Sequence, residues 1–297
     1  MSSELICNDV INSALRAHAS WQGREQVRLA PALVYQRHGT FSSEPDILYK
    51  KDLFIPKRGT PAMDMNIVDI LKSRNNWINR IGCIKEIFPE SSLLVLQKLS
   101  GLEPIIANEY MLHEAGHFLA YDVCAKQREG YFSVMGKTAW PLVYLEELRA
   151  DLNSFGFAVQ LLEPEKATQI FLYNMMLRFG VHRQGIVQEQ QAPYGLVPYL
   201  LFHLLQDFGF LSICQQHGRS SFKFVSLETD QLIAIMRACA RHAEQELNGP
   251  ELTKTTSLER AIVAAKYVRN RLDDTAMAKL YGLVMNQPAT MLAAEKP

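Results

Sequence analysis

Tyr110-Met-Leu-His-Glu-Ala-Gly-His-Phe-Leu-Ala120 places three chemistry-bearing side chains, His113, Glu114 and His117, in the order His-Glu-x-x-His. On a helix, residues four apart stand one turn apart on one face, with Cβ atoms roughly 5–6 Å from each other, so both imidazoles reach a single cation. Glu114 is rotated by about 100°. That position is poor for a third ligand and suits a general base holding the water that the ion binds. The flanking Ile105-Ile106, Met111-Leu112 and Phe118-Leu119-Ala120 continue the apolar period, so the segment reads as a buried helix from about Glu103 to Ala125. Gly116 lowers helix propensity by roughly 1 kcal/mol relative to Ala, and its place between the histidines implies close approach of another segment. Two core histidines beside a buried Glu are the structural alternative, and such a group is expensive to bury without a cation or partners.

A catalytic zinc ion takes three protein ligands and keeps one position open for water, so a third donor is expected downstream. Tyr144-Leu-Glu-Glu-Leu-Arg-Ala-Asp-Leu-Asn-Ser154 offers it. Glu147 and Asp151 are four apart and share a helical face, beside a buried side marked by Leu145, Leu148 and Leu152. One carboxylate suits the metal while the other accepts the outward N–H of a ligating imidazole, fixing its tautomer and raising its basicity. A solvated charged helix with a Glu146–Arg149 pair at i,i+3 is the plainer reading of the same residues.

His-Glu-x-x-His followed by a helical Glu-x-x-x-Asp resembles the gluzincin metallopeptidases, whose zinc is held by two His and one Glu. Glu146-Glu147-Leu148-Arg149-Ala150-Asp151 is similar to the second zinc motif of the dipeptidyl-peptidase III family, and the likeness runs from about Ile105 to Gly209. The resemblance implies His113, His117 and Glu147 as ligands, Glu114 as base, and Asp151 and Glu146 as orienting carboxylates. Counting back from Asp207-Phe208-Gly209, it also sets Tyr194 where that family has its transition-state histidine, as donor to the developing oxyanion. His203, among aliphatics in Pro198–Leu205, is a second candidate for that role or a hydrogen-bonded core histidine. His182 and Arg183, after Gly180, read as a loop able to meet a substrate carboxylate or to stand in solvent. The implied protein is a zinc-dependent hydrolase of a peptide or small amide, with Fe2+ or Mn2+ compatible with the same donors.

The 297 residues suffice for a substantial core. Lys+Arg and Asp+Glu number 31 each, so no nucleic-acid partner is implied. Five scattered cysteines (Cys7, Cys83, Cys124, Cys214, Cys239) form no CxxC pair, which fits a reducing compartment. The N-terminus carries no signal-like apolar run, and the apolar stretch Leu196–Leu205 is shorter than the ~20 residues of a membrane span, so a soluble, cytoplasmic protein is expected.

Residues 4–22 read as an amphipathic helix, and 27–62, punctuated by Pro31, Pro45, Pro56 and Pro61, as extended pieces with one or two short strands. From Ile67 the helical period resumes in Ile67–Ile78, Ser91–Leu99, the histidine helix, Phe155–Leu162, Glu165–Arg178, Pro193–Phe208, Glu228–Leu247, Ser257–Leu272 and Thr275–Met285. Gly130–Gly136 reads as a short extended piece, either a strand that pairs with substrate backbone or a connector. The expectation is a mainly α, zincin-like helical domain with a few short strands. Residues 1–100 would supply an N-terminal helix, wrapping segments and further helices, and residues 101–297 the helical metal-binding region. The length and the lack of a recognisable peptide-binding lobe leave a rival reading, in which the same His-His-Glu site serves a small-metabolite cyclisation, isomerisation or oxygen-dependent step. A helical interaction protein with a degenerate site is a third.

Overall fold

The structure, a computed structural model, describes residues 5–21, 27–36, 47–48, 66–99, 101–120, 130–179, 194–216, 219–249, 252 and 256–272. Helical periodicity dominates them, and the fold is mainly α with a few short strands, as the sequence predicts. The first helix, α1 (Asn8–Ala17), is shorter than the expected span of 4–22. Cys7 precedes it in an extended conformation and gives no side-chain cap, and His18 ends it in an extended one. Its Ile11, Ala14 and Leu15 are buried while Val10 is exposed. Asn12 exchanges two hydrogen bonds with the Val27 backbone, at 3.0 and 2.8 Å, which ties α1 to the chain entering β1.

Strands β1 (Leu29–Ala32), β2 (Ile47–Leu48) and β3 (Asn66–Asp69) form a small sheet with β3 in the middle, parallel to β1 and antiparallel to β2. Ile67 therefore belongs to a strand and not to the helix expected from it. Asp69 switches the chain to helix: its carboxylate accepts from Lys72 N at 3.1 Å, capping α2 (Ile70–Ile87). Helix α3 (Ser92–Lys98) follows.

Two helices make the centre. Helix α4 (Leu102–His117) enters through Gly101, whose φ of 72° lies in the left-handed region that favours glycine, and α5 (Trp140–Leu161) begins with Pro141 in its first turn. The 22 residues of α5 form one helix where the sequence suggests two pieces, and 14 of them are buried. Helix α4 packs along α5 more extensively than on any other element. Gly116 permits this: a Cβ there would lie 2.8 Å from Ala150 Cα and closer still to its carbonyl oxygen. The glycine between the histidines marks a backbone-to-backbone contact, as its position implies.

The helix expected to run to Ala125 ends at His117, and residues 121–125 lie outside the described residues. Phe118 closes the helix, Ala120 takes a φ of 69°, and Ala120 N donates to Ser20 O at 2.7 Å while Leu119 bridges Trp21. Pairing with the segment after α1 outcompetes the helical propensity of 118–120. The 130–136 piece proves to be half of a tight hairpin, β4 (Ser133–Val134) and β5 (Lys137–Thr138), turning through Met135 and Gly136, both at positive φ.

Helix α6 (Pro164–Phe179) packs on α4 and α5 and contributes Phe171, which meets Phe155 edge-to-face at 4.9 Å. Burying such a ring stabilises by about 1.5–3 kcal/mol. After α7 (Val197–Asp207) comes a ribbon, β6 (Leu211–Gln216) with β7 (Arg219–Phe224), then α8 (Thr229–His242), a π-helical turn at Ala243–Leu247, and α9 (Ser257–Leu272). Among the described residues no helix is long and apolar enough to cross a membrane. Residues 37–46 and 49–62 of the expected extended region, Cys124 and the helix expected at 275–285 lie outside the described residues.

Candidate metal centre

Because α4 and α5 touch at Gly116 and Ala150, the last turn of one faces the middle of the other, and His113, His117 and Glu147 meet across that seam. His113 and His117 point their Nε2 atoms at each other, 3.2 Å apart, with rings perpendicular. Glu147 Oε2 lies 3.3 Å from His113 Nε2 and 3.7 Å from His117 Nε2. It is buried without a well-formed hydrogen bond. A buried carboxylate oxygen so placed needs positive charge against it, from a protonated imidazole or from a cation. Bond lengths of about 2.0–2.2 Å in a tetrahedron place donor atoms about 3.3–3.6 Å from one another, so the observed separations fit one small divalent ion.

The outward nitrogens are also held. His113 Nδ1 bonds Asp151 Oδ1 at 2.8 Å, and His117 Nδ1 bonds Glu146 Oε1 at 3.0 Å. Both bonds leave Nε2 as the free lone pair when Nδ1 carries the proton, the tautomer a ligating imidazole needs. The Glu146–Arg149 pair suggested by the sequence also exists, but it is buried, and Glu146 serves His117 and Arg149 together.

Behind His113 lies a polar cluster that sequence reasoning missed. Arg178 grips Asp151 with two bonds, Nε to Oδ2 at 2.7 Å and Nη2 to Oδ1 at 2.8 Å. Asn174, one turn earlier, donates to Asp151 Oδ1 at 2.9 Å and to Glu109 Oε1 at 2.7 Å. The available signal was polar residues inside apolar runs: Asn174 and Arg178 are spaced i,i+4 on the otherwise greasy α6, and Glu109 lies one turn before His113.

Burial alone would push Asp151 up, yet the charge and bonds of Arg178, with help from His113, hold it well below the usual carboxylate range. Burial likewise opposes the His113 imidazolium, but Asp151 and Glu147 outweigh it and hold His113 well above the ordinary histidine value. Glu147, despite its burial, is lowered by the two histidines. Glu109 is raised by its burial.

Tyr194, in the turn before α7, brings its hydroxyl to 3.2 Å from His113 Nε2 and sets its ring over Arg178 at 4.0 Å. Burial, then Glu147, raises its pKa well above the ordinary phenol value, so it stays a hydrogen-bond donor. Glu114 is half-buried on α4 beside His113. His203 instead sits with Asp207, one turn along its own helix, Nδ1 to Oδ2 at 3.1 Å. His182 and Arg183 lie outside the described residues.

The geometry defines a class of site: two imidazoles and a carboxylate arranged for one divalent cation, with orienting carboxylates behind both rings. No family model matches the chain, and no curated protein matches it. Among solved structures it is similar to that of DPP III from Caldithrix abyssi, with a TM-score of 0.45 and 13% identity over 75% of this chain. The match spans 39% of that protein's length.

Proposed function

We propose that this protein is a metal-dependent hydrolase in which His113, His117 and Glu147 hold one divalent cation. The donor set and spacing favour Zn2+, and Fe2+ or Mn2+ suit the same donors. The observation that carries this reading is the buried Glu147 oxygen, at 3.3 and 3.7 Å from two imidazole nitrogens that face each other at 3.2 Å. When bound, such an ion acidifies water and polarises a carbonyl.

The chain's own residues supply the remaining parts. Glu114, adjacent to His113 in sequence, accepts the proton of the attacking water and returns it to the leaving amine. The Tyr194 hydroxyl, kept protonated by its burial and by Glu147, donates to the oxygen on which negative charge develops. Asp151 and Glu146 hold both rings in the ligating tautomer. A peptide or small amide is the substrate class that this base and donor suit.

Elemental analysis of the purified protein is expected to find one equivalent of metal in the wild type and little in Glu147→Gln. Digestion of a peptide library by fully metal-loaded protein then tests the substrate class. Cleavage supports the peptidase assignment, whereas metal-loaded protein that cuts no peptide redirects it to a small-metabolite reaction at the same site. Absence of stoichiometric metal after reconstitution rejects the whole reading.

A further inference from the structure

We infer that Arg178 is a positioning residue that couples the ligand His113 to the donor Tyr194, an inference that rests on the metal-hydrolase reading. Four side chains from four parts of the chain close a ring of contacts. Arg178 on α6 binds both oxygens of Asp151 on α5, at 2.7 and 2.8 Å. Asp151 bonds His113 Nδ1 on α4 at 2.8 Å. His113 Nε2 meets the Tyr194 hydroxyl, before α7, at 3.2 Å. The Tyr194 ring returns to Arg178, whose guanidinium carbon lies 4.0 Å from the ring centre.

Arg178 is 8% exposed, so its charge is unscreened and its fork is fixed. A planar guanidinium orients two partners at once, a carboxylate in its plane and an aromatic ring against its face. An ammonium group has neither the fork to match both carboxylate oxygens nor a plane to stack on the ring, so it holds both partners less firmly. Moving Arg178 therefore displaces the orienter of a metal ligand and the phenol ring together. A merely structural Arg178, present to neutralise buried Asp151, would affect the ligand side without communicating with Tyr194.

The test uses the full chain and two readouts that need no substrate. Zn2+ affinity is measured by chelator competition, and acetohydroxamate, a small oxyanion-bearing chelator, is titrated onto Co2+-loaded protein by visible absorption. Arg178→Lys is expected to weaken Zn2+ by about 10–100-fold. Tyr194→Phe should leave Zn2+ affinity unchanged and weaken acetohydroxamate by roughly tenfold, the value of a hydrogen bond to a charged acceptor. Arg178→Lys should weaken acetohydroxamate by the same factor, and the double variant should bind it no more weakly than Tyr194→Phe alone.

Losses that multiply in the double variant, or an Arg178→Lys protein with unchanged Zn2+ affinity, overturn the coupling while leaving the metal site standing. Wild-type protein that takes up neither Zn2+ nor Co2+ overturns both readings. Should Arg178→Lys fail to fold, Arg178→Gln, which keeps one donor to Asp151 without the stacked plane, carries the same expectations.

Discussion

Two places in this molecule bury a histidine next to charge, and they do so with opposite sign. At the α4–α5 seam, His113 faces Asp151 and Glu147, and carboxylates outweigh burial to favour the imidazolium. Between α8 and α9, His242 bonds Tyr267 at 2.7 Å, and burial together with Arg271 lowers its pKa to about 4. Glycines serve both regions: Gly116 lets α4 touch the α5 backbone, and Gly156 brings α5 against the Ala240 side chain on α8. The first environment favours positive charge at the ring; the second keeps a neutral ring as a packing and hydrogen-bonding piece. Neighbouring charge, more than residue type, decides which way a buried histidine is shifted.

The contrast breaks most completely at Glu114. Glu114→Gln should retain the metal while kcat falls by about 10²–10⁴, read by single-turnover assay on protein of verified metal content. Intact turnover would falsify its assignment as base. Gly116→Ala comes next. The substitution gains about 1 kcal/mol of helix propensity, but its Cβ meets Ala150 backbone that cannot move aside, so a net loss of about 2 kcal/mol is expected in denaturant melts. Asp151→Asn should weaken Zn2+ by about 10–100-fold, since a neutral amide orients His113 less firmly; an unchanged chelator competition curve would contradict the role of that carboxylate.

The second region gives smaller effects. His242 is depressed in the folded protein relative to its ordinary value of 6.5, so its contribution to stability is complete above that pH and is lost as pH falls towards 4. With partial solvent screening this amounts to about 1–2 kcal/mol. A His242→Gln protein should show a correspondingly flatter stability profile between those pH values, and identical profiles would remove His242 from the acid response. Gly156→Ala is the mildest test. Its Cβ would lie 3.0 Å from a single methyl on Ala240, so a change within about 1 kcal/mol is expected, against the larger cost at Gly116.

The seam was legible because its information is local. His113 and His117 one turn apart, Glu147 and Asp151 one turn apart, and Gly116 between the histidines all follow from helical spacing. What the sequence concealed depends on distant partners. Helix α4 stops at His117 because residues 118–120 pair with Ser20 and Trp21, about a hundred positions away. The β3 strand before α2 exists because β1 and β2 flank it, although Ile67 onward also fits a helical period. Arg178 and Asn174 looked like ordinary polar residues on α6, and only their convergence on Asp151 gives them meaning. The β6–β7 ribbon likewise gains its definition from cross-strand pairing, which single-chain periodicity does not encode.

The termination of α4 at His117 has an electrostatic consequence of its own. Peptide dipoles along its 16 residues add up to a partial negative charge at the final turn, the turn that presents His113 and His117. The carbonyl end of a helix attracts positive charge, by about 0.3–1 kcal/mol where exposed and more where sheltered. Had the helix run on to residue 125, that pole would have been carried about two turns past the imidazoles. By ending where it does, the backbone adds its own electrostatic pull to that of Glu147 and Asp151.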